Sequence, residues 1–179
     1  MHIVNVMFSK GLGGIEQALV DYCEALKMEG HKVSAIISPK AKIKPVLSWH
    51  AIITQVKNVK KGEGIGYDLT YIAKSDMKIA IIPVGYWHGL LRSLSNIGEV
   101  LVGGKRCKII GRISMCMSII DVTHISKAKA GGAQVGDLVT LIGKQGKQEL
   151  TTEEVATKAG TINYELITRI NQEIKRIYK

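Results

Sequence analysis

Three groups of residues in this 179-residue chain are of types that could do chemistry. Arg92 and Arg112 carry planar guanidinium groups that can clamp a carboxylate through paired hydrogen bonds and stay charged at every physiological pH. By themselves they serve equally as surface ion-pair partners. The stretch Ser9-Lys10-Gly11-Leu12-Gly13-Gly14 lies between an apolar run and a helical pattern, an order that can present backbone N–H groups to a phosphate. Cys23, Cys107 and Cys116 are odd in number and widely spaced, with no Cys-x-x-Cys or Cys/His grouping. That spacing points to free thiols and not to zinc or a disulfide framework, and Cys116 reads as a small buried hydrophobe.

The elements that must position these groups follow from periodicity. Residues 2–8 and 32–37 are apolar enough for buried strands, and between them Ile15, Ala18, Leu19, Tyr22, Cys23 and Leu26 recur at helical spacing before Gly30. The first forty residues therefore read as a partial βαβ unit. Pro39-Lys40-Ala41-Lys42-Ile43-Lys44-Pro45 breaks the pattern and marks a join. Beyond it, 46–59, 66–73, 78–84, 100–102, 108–115, 118–122 and 138–142 are short β-rich runs separated by glycine turns. They predict a mainly β, antiparallel, barrel-like domain over 46–179. Two helices close it: Thr151 and Glu154 have capping-box spacing for one that stops near Gly160, and Ile162, Leu166, Ile170 and Ile174 define a second over 162–174.

Composition narrows the function classes. Apolar residues at 46% and charged residues at 22% describe a chain that folds around a core. No run approaches the roughly 18 apolar residues of a membrane span, and the first residues lack the pattern of a signal peptide, so the expected location is cytoplasmic. The net charge of +10 favours acidic partners. Of the 25 basic residues 19 lie after residue 44, yet they are scattered, and one Phe and two Trp leave few stacking platforms for nucleic acid. A solvated basic surface is the expectation.

Ordered motifs carry a resemblance. Val56-Lys57-Asn58-Val59 leads to Lys61-Gly62-Glu63; then come Gly66-Tyr67 with Thr70-Tyr71, Ile82-Pro83-Val84-Gly85-Tyr86, Arg92, Gly111-Arg112-Ile113-Ser114-Met115, Asp121-Val122-Thr123, Gly136-Asp137 and Tyr164-Glu165. In that order and at those separations, residues 46–179 resemble the C-terminal β-domain of alanine racemase, the pyridoxal-phosphate isomerase that interconverts L- and D-alanine for cell-wall synthesis. Residues 1–38, through Gly13-Gly14-Ile15-Glu16, resemble the opening of the glycosyltransferases built from two doubly wound domains.

The racemase resemblance implies a site. Racemisation needs a proton removed from one face of Cα and another delivered to the opposite face. In the family a lysine on an N-terminal barrel serves one face and a tyrosine from the β-domain of the partner subunit serves the other; the matching residue is Tyr67. An unperturbed phenol has a pKa near 10, and Asp68, standing where a small residue is common, would push it the wrong way. Tyr86, Arg92 and Arg112 match residues of the substrate entrance, and Met115 matches one whose backbone N–H holds the substrate carboxylate. Two departures replace carboxylates: His88 in Gly85-Tyr86-Trp87-His88-Gly89, and Cys116 in Met115-Cys116-Met117. Each is expected to leave a buried donor unpaired.

A family barrel takes about 250 residues, and 45 precede residue 46, so the cofactor's Schiff-base lysine is expected to be absent from this chain. The leading reading is a truncated alanine racemase, retaining the C-terminal domain only and inactive alone. One alternative is a half-enzyme that completes a separately encoded pyridoxal-phosphate barrel, or pairs as a homodimer, around a small amino-acid substrate. The other is a non-catalytic module that binds an anion or a protein. No metal site and no membrane attachment are expected.

Overall fold

A computed structural model describes residues 2–5, 32–35, 47–127 and 132–177. It divides into two compact units, Met1–Lys44 and Pro45–Lys179. In the first, β1 (His2–Asn5) and β2 (Lys32–Ala35) pair in parallel, His2 opposite Lys32. The expected crossover helix, the glycine-rich stretch and the Pro39 to Pro45 join lie outside the described residues.

The second unit is a mainly antiparallel sheet closed by two helices. In chain order come β3 (Trp49–Ile52), β4 (Gln55–Val59), the short hairpin strands β5 (Gly64–Ile65) and β6 (Tyr71–Ile72), and β7 (Met77–Ile82). They are followed by β8 (Glu99–Val102), β9 (Lys105–Ile110), β10 (Ser118–Asp121), β11 (Leu138–Gln145) and β12 (Gln148–Leu150). The main sheet runs β12-β11-β8-β9-β10-β7-β4, with β3 also on β11. This is the mainly antiparallel β-domain with two C-terminal helices that the spacing predicts, although the sheet does not close into a barrel. Its margins are linked by the chain itself: at Ile53 and Thr54 one segment leaves β11 as β3 and joins β7 as β4. Ile53 N–H donates to the Asp137 carbonyl at 3.0 Å and Thr54 N–H to the Ile81 carbonyl at 2.9 Å, which holds the corner.

Paired apolar residues explain the layering. Successive side chains on a strand face opposite ways, and Ala80 and Ile82 enter the main core while Met77 and Ile79 enter a smaller one beneath β5 and β6. Ile109 and Ile120 join the first and Ile110 the second, in keeping with the register that sets Ile120 opposite Ala80 and Ile109. Both faces of the sheet centre are thus covered, which is why these strands read as apolar runs without clean alternation.

Helix α1 (Thr152–Ala159) starts and stops where expected: Thr151 caps Glu154 N–H, and Gly160 adopts φ +76°. Helix α2 (Asn163–Thr168) is far shorter than the expected 162–174. Leu166 and Ile170 are buried as the spacing required, but beyond Arg169 the backbone is captured elsewhere. Asn171 N–H donates to the His88 carbonyl at 3.2 Å and its side-chain amide to the Trp87 carbonyl at 3.1 Å, and these bonds replace further helical ones.

An ionic cluster clamps α1 to the sheet. Arg106 reaches Glu99 at 3.1 Å and Glu154, and Lys158 reaches Glu154 at 3.2 Å and Glu99. Burial pushes the Glu99 carboxyl up, but hydrogen bonds from Lys158 and Arg106 outweigh it and hold the group below the ordinary glutamate range. The Glu154 carboxyl is lowered chiefly by its bond from Arg106. A carboxyl whose pKa is depressed on folding adds stability above its unfolded value, near 4.3, that is lost as pH falls through the folded one. Glu154→Gln should therefore flatten the decline in denaturation midpoint as pH falls below the ordinary glutamate value. The pairs are partly solvated, so each should be worth no more than about 1 kcal/mol. A midpoint that falls just as steeply in the variant would assign the acid sensitivity to other groups.

Candidate functional site

The five residues singled out by the resemblance, Tyr67, Tyr86, Arg92, Arg112 and Met115, line one open cleft of about 840 Å³. Each reaches it for a local reason. Of the run expected to be one strand over 66–73 only β6 is strand; the residues before it form the tight turn that brings the chain back from β5, and Tyr67 sits near the start of that turn, 69% exposed. Backbone bridging joins Tyr67 to Arg112, where the chains cross so closely that a Cβ on Gly111 would lie 2.9 Å from the Ile65 carbonyl oxygen.

Arg92 opens a short 3-10 turn, Arg92–Leu94, that is tied to the Arg112 segment by the next two residues. The Ser95 hydroxyl donates to the Arg92 carbonyl at 2.6 Å and accepts from Ile113 N–H at 3.0 Å. Asn96, in the left-handed region at φ +64°, accepts from Gly111 N–H at 2.7 Å. Ser95 and Asn96 are positioning residues that chemistry-first reading overlooks. Among the described residues Arg92 has no ion-pair partner, whereas Arg112 has Asp68.

Tyr86 and Met115 are held by a backbone handshake. Tyr86 N–H donates to the Ser114 carbonyl and Trp87 N–H to the Met115 carbonyl, both at 3.0 Å. Gly85 makes this possible, since a Cβ there would stand 2.1 Å from the Ser114 oxygen. On the other side of the turn Ser114 N–H donates to the Met117 carbonyl at 3.0 Å, which projects Met115 and Cys116 outward. Cys116 is accordingly exposed, contrary to the buried role expected of it; among the described residues the buried thiol is Cys107, which burial pushes up to about 12. No acceptor is found for Met115 N–H among the described residues, which leaves a donor beside the cleft.

His88 corrects a second expectation. Its Nδ1 accepts from Gly85 N–H at 3.2 Å, so the imidazole performs the acceptor role a carboxylate would have filled, and the donor is not orphaned. The ring must carry its proton on Nε2 to do so. Asp68 likewise does not stand alone beside the phenol: its carboxylate lies 3.3 Å from Arg112 Nε.

Arg169, at the end of α2, also lines the cleft and was not anticipated. Its only sequence signal is the four-residue spacing from Glu165, whose Oε1 it meets at 2.6 and 2.9 Å. Among the described residues three arginines and two tyrosines surround the space, with no carboxylate and no lysine in its lining. Such a cleft attracts a small anion and offers phenols for proton exchange. Among the described residues no cluster of His, Cys, Asp or Glu could hold a metal ion, and no helix is long and apolar enough to cross a membrane.

Comparison with known proteins is consistent with this geometry. The family described as alanine racemase, C-terminal domain, matches residues 46–178. An alanine racemase of Leptospira interrogans is 44% identical over 135 residues, 75% of this chain and 33% of that protein. One from Syntrophobacter fumaroxidans is 39% identical over 172 residues, 96% of this chain and 44% of that protein. The crystal structure of alanine racemase from E. faecalis superposes with a TM-score of 0.68 at 39% identity, covering 77% of this chain and 35% of that one. The chain therefore spans between a third and a half of these relatives. The glycosyltransferase resemblance of residues 1–38 finds no support, and the 172-residue racemase alignment takes in most of that segment. Its physical basis was weak, because a strand, glycine turn and helix recur in doubly wound sheets and in α/β barrels alike. Through residues 46–178, the chain belongs to the alanine racemase C-terminal domain family.

Proposed function

We propose that residues 46–179 supply the β-domain half of an alanine racemase active site. The observation that carries this reading is the convergence of Tyr67, Tyr86, Arg92, Arg112 and Met115 on one cleft. In it Arg92 and Arg112 draw in the carboxylate of a small amino acid, the Met115 N–H orients that carboxylate, and Tyr67 exchanges a proton with Cα from one face. Tyr86 lines the entrance.

The cofactor of this family, pyridoxal phosphate, does not fit the cleft as its own binding place. Its aldehyde is held by an amine, and among the described residues no lysine lines the cleft. The reading therefore places cofactor and lysine on a barrel outside residues 46–179, which a second copy of a racemase or a separate polypeptide would present. Without an association of this kind, homodimeric or with such a barrel, residues 1–179 are inactive. Residues 1–40 are proposed to be a separate partial βαβ unit, and the location of the protein to be cytoplasmic.

The test is complementation. The chain is mixed with a cofactor-loaded racemase barrel that lacks its own β-domain, and D-alanine formation is compared with cofactor alone, which racemises alanine slowly in solution. The mixture should exceed both components taken singly, whereas the chain with cofactor should match the cofactor-only rate. Activity from the chain and cofactor without a barrel would overturn the placement of the lysine. A mixture no faster than its parts would favour the non-catalytic anion- or protein-binding reading.

A further inference from the structure

The turn that carries Tyr67 is built against the ordinary preferences of its residues. Asp68 and Leu69 have φ values of +58° and +48°, two successive residues in the left-handed region, and neither is glycine. Asp tolerates that region through its short polar side chain, whereas Leu does not. The turn persists because its surroundings hold it: Leu69 N–H donates to the Gly66 carbonyl at 3.3 Å, and the Leu69 side chain lies over Gly64 so closely that a Cβ there would sit 2.8 Å from it. Strain of this kind survives only where the structure over-determines it.

What the turn presents is the Asp68 carboxylate. It stands 3.3 Å from Arg112 Nε, close enough for an ion pair. The direction is wrong for a hydrogen bond, and Arg112 Nε, a buried atom, has no hydrogen-bond partner. An unsatisfied N–H beside a carboxylate that does not quite engage it is a donor held in reserve. Both side chains remain open to solvent, 53% and 41% exposed, so the pair is easily exchanged.

We propose that Asp68 is an internal competitor for Arg112, occupying the guanidinium that the carboxylate of an incoming ligand would take, so that it sets how tightly the cleft holds small carboxylates. Binding then requires exchange of one carboxylate for another at Arg112, and the apparent affinity is lowered by the fraction of time Asp68 holds the site. Arg92, which has no ion-pair partner among the described residues, serves as the first point of attachment, and Arg112 as the guarded second one. This inference rests on the reading of the cleft as an entrance for amino-acid carboxylates and adds the residue that tunes it.

The experiment uses the full chain, acetate as the probe, and the Arg112 Nε–Hε resonance followed by two-dimensional NMR. Asp68→Asn keeps a residue that accepts positive φ and removes the charge; Asp68→Gly relieves the backbone and removes the side chain altogether. Both should bind acetate three- to fivefold more tightly than the unaltered chain, the gain expected on removing a solvated ion-pair competitor. Asp76→Asn, which deletes an equal charge from a carboxylate paired with Lys60 at 2.8 Å outside the cleft lining, should leave the affinity unchanged. If acetate shifts the Arg112 resonance with the same affinity in all four chains, Asp68 is no competitor and the inference falls while the cleft reading stands. If Asp76→Asn tightens binding as much as Asp68→Asn, net charge is the cause and the inference also falls. If acetate moves Arg112 in none of them, the cleft reading itself fails and takes the inference with it.

Discussion

Tyr67→Phe, mixed with a cofactor-loaded racemase barrel, is expected to form D-alanine about 10²- to 10⁴-fold more slowly than the unaltered chain in the same mixture, the range a positioned acid/base group contributes. The substitution removes one hydroxyl and leaves the ring. Because the side chain is 69% exposed and belongs to neither core, the thermal midpoint and the far-ultraviolet spectrum should not move. The loss should fall on kcat and leave KM nearly unchanged, since the proposed carboxylate contacts are assigned to the arginines and the Met115 N–H. A variant that keeps the full rate would place the acid/base group elsewhere in the mixture. A variant that loses affinity for the barrel in proportion to rate would make Tyr67 a docking contact.

The largest structural effect is expected at Gly85. An alanine there would place Cβ 2.1 Å from the Ser114 carbonyl oxygen and 2.5 Å from that of Met115, both backbone atoms that no rotamer change can move. Overpacking of this kind costs about 3 kcal/mol, and at roughly 3 °C per kcal/mol the midpoint should drop by about 10 °C. Gly62→Ala is the proper comparison. Gly62 is also a turn residue, at φ +90°, but nothing lies within 4 Å of its would-be Cβ, so only the conformational cost remains, about 1 kcal/mol. Equal midpoints for the two variants would show that the Gly85 to Ser114 handshake yields without strain. Complementation by Gly85→Ala should also fail at temperatures where it remains folded, because Tyr86 and Met115 are held through the same two carbonyls.

Much of the fold was legible because local chemistry and tertiary packing agree. Thr151, Glu154 and Gly160 bracket α1 as caps do, and the runs around Ile79 to Ile82, Ile109 and Ile119 become strands whose two faces are both buried. Legibility ends where a remote group decides. The Ile162, Leu166, Ile170, Ile174 row predicts four turns of helix, but the carbonyls of Trp87 and His88 take Asn171 out of it, some 84 residues away along the chain. The run over 66–73 has strand composition, yet positive φ at Asp68 and Leu69 turns it back onto β5, a conformation composition does not announce for Leu. Within the site, residue identities showed which groups could do chemistry, whereas His88 substituting for a carboxylate and Arg169 entering from α2 required knowing what each one faces. Charge was the least informative signal: +10 overall says nothing of how Asp68 and Glu165 temper two of the three arginines in the cleft.

The corner at Ile53 and Thr54 also sets an order of assembly. Register pairs in β4 and β7 are 18 to 26 positions apart, Val59 with Met77 and Gln55 with Ile81. Those in β3 and β11 are 86 to 93 apart, Ile52 with Leu138 and Trp49 with Ile142. Loop closure over the longer span costs about 1 kcal/mol more, so the β4 to β7 ladder has the shorter search and the seam between β3 and β11 forms late. Trp49, buried at the start of β3, is placed by that seam, and polypeptide attached before residue 47 is connected through it. An upstream segment that folds slowly, or holds its end taut, would delay the closing of the sheet while leaving every residue of the cleft untouched.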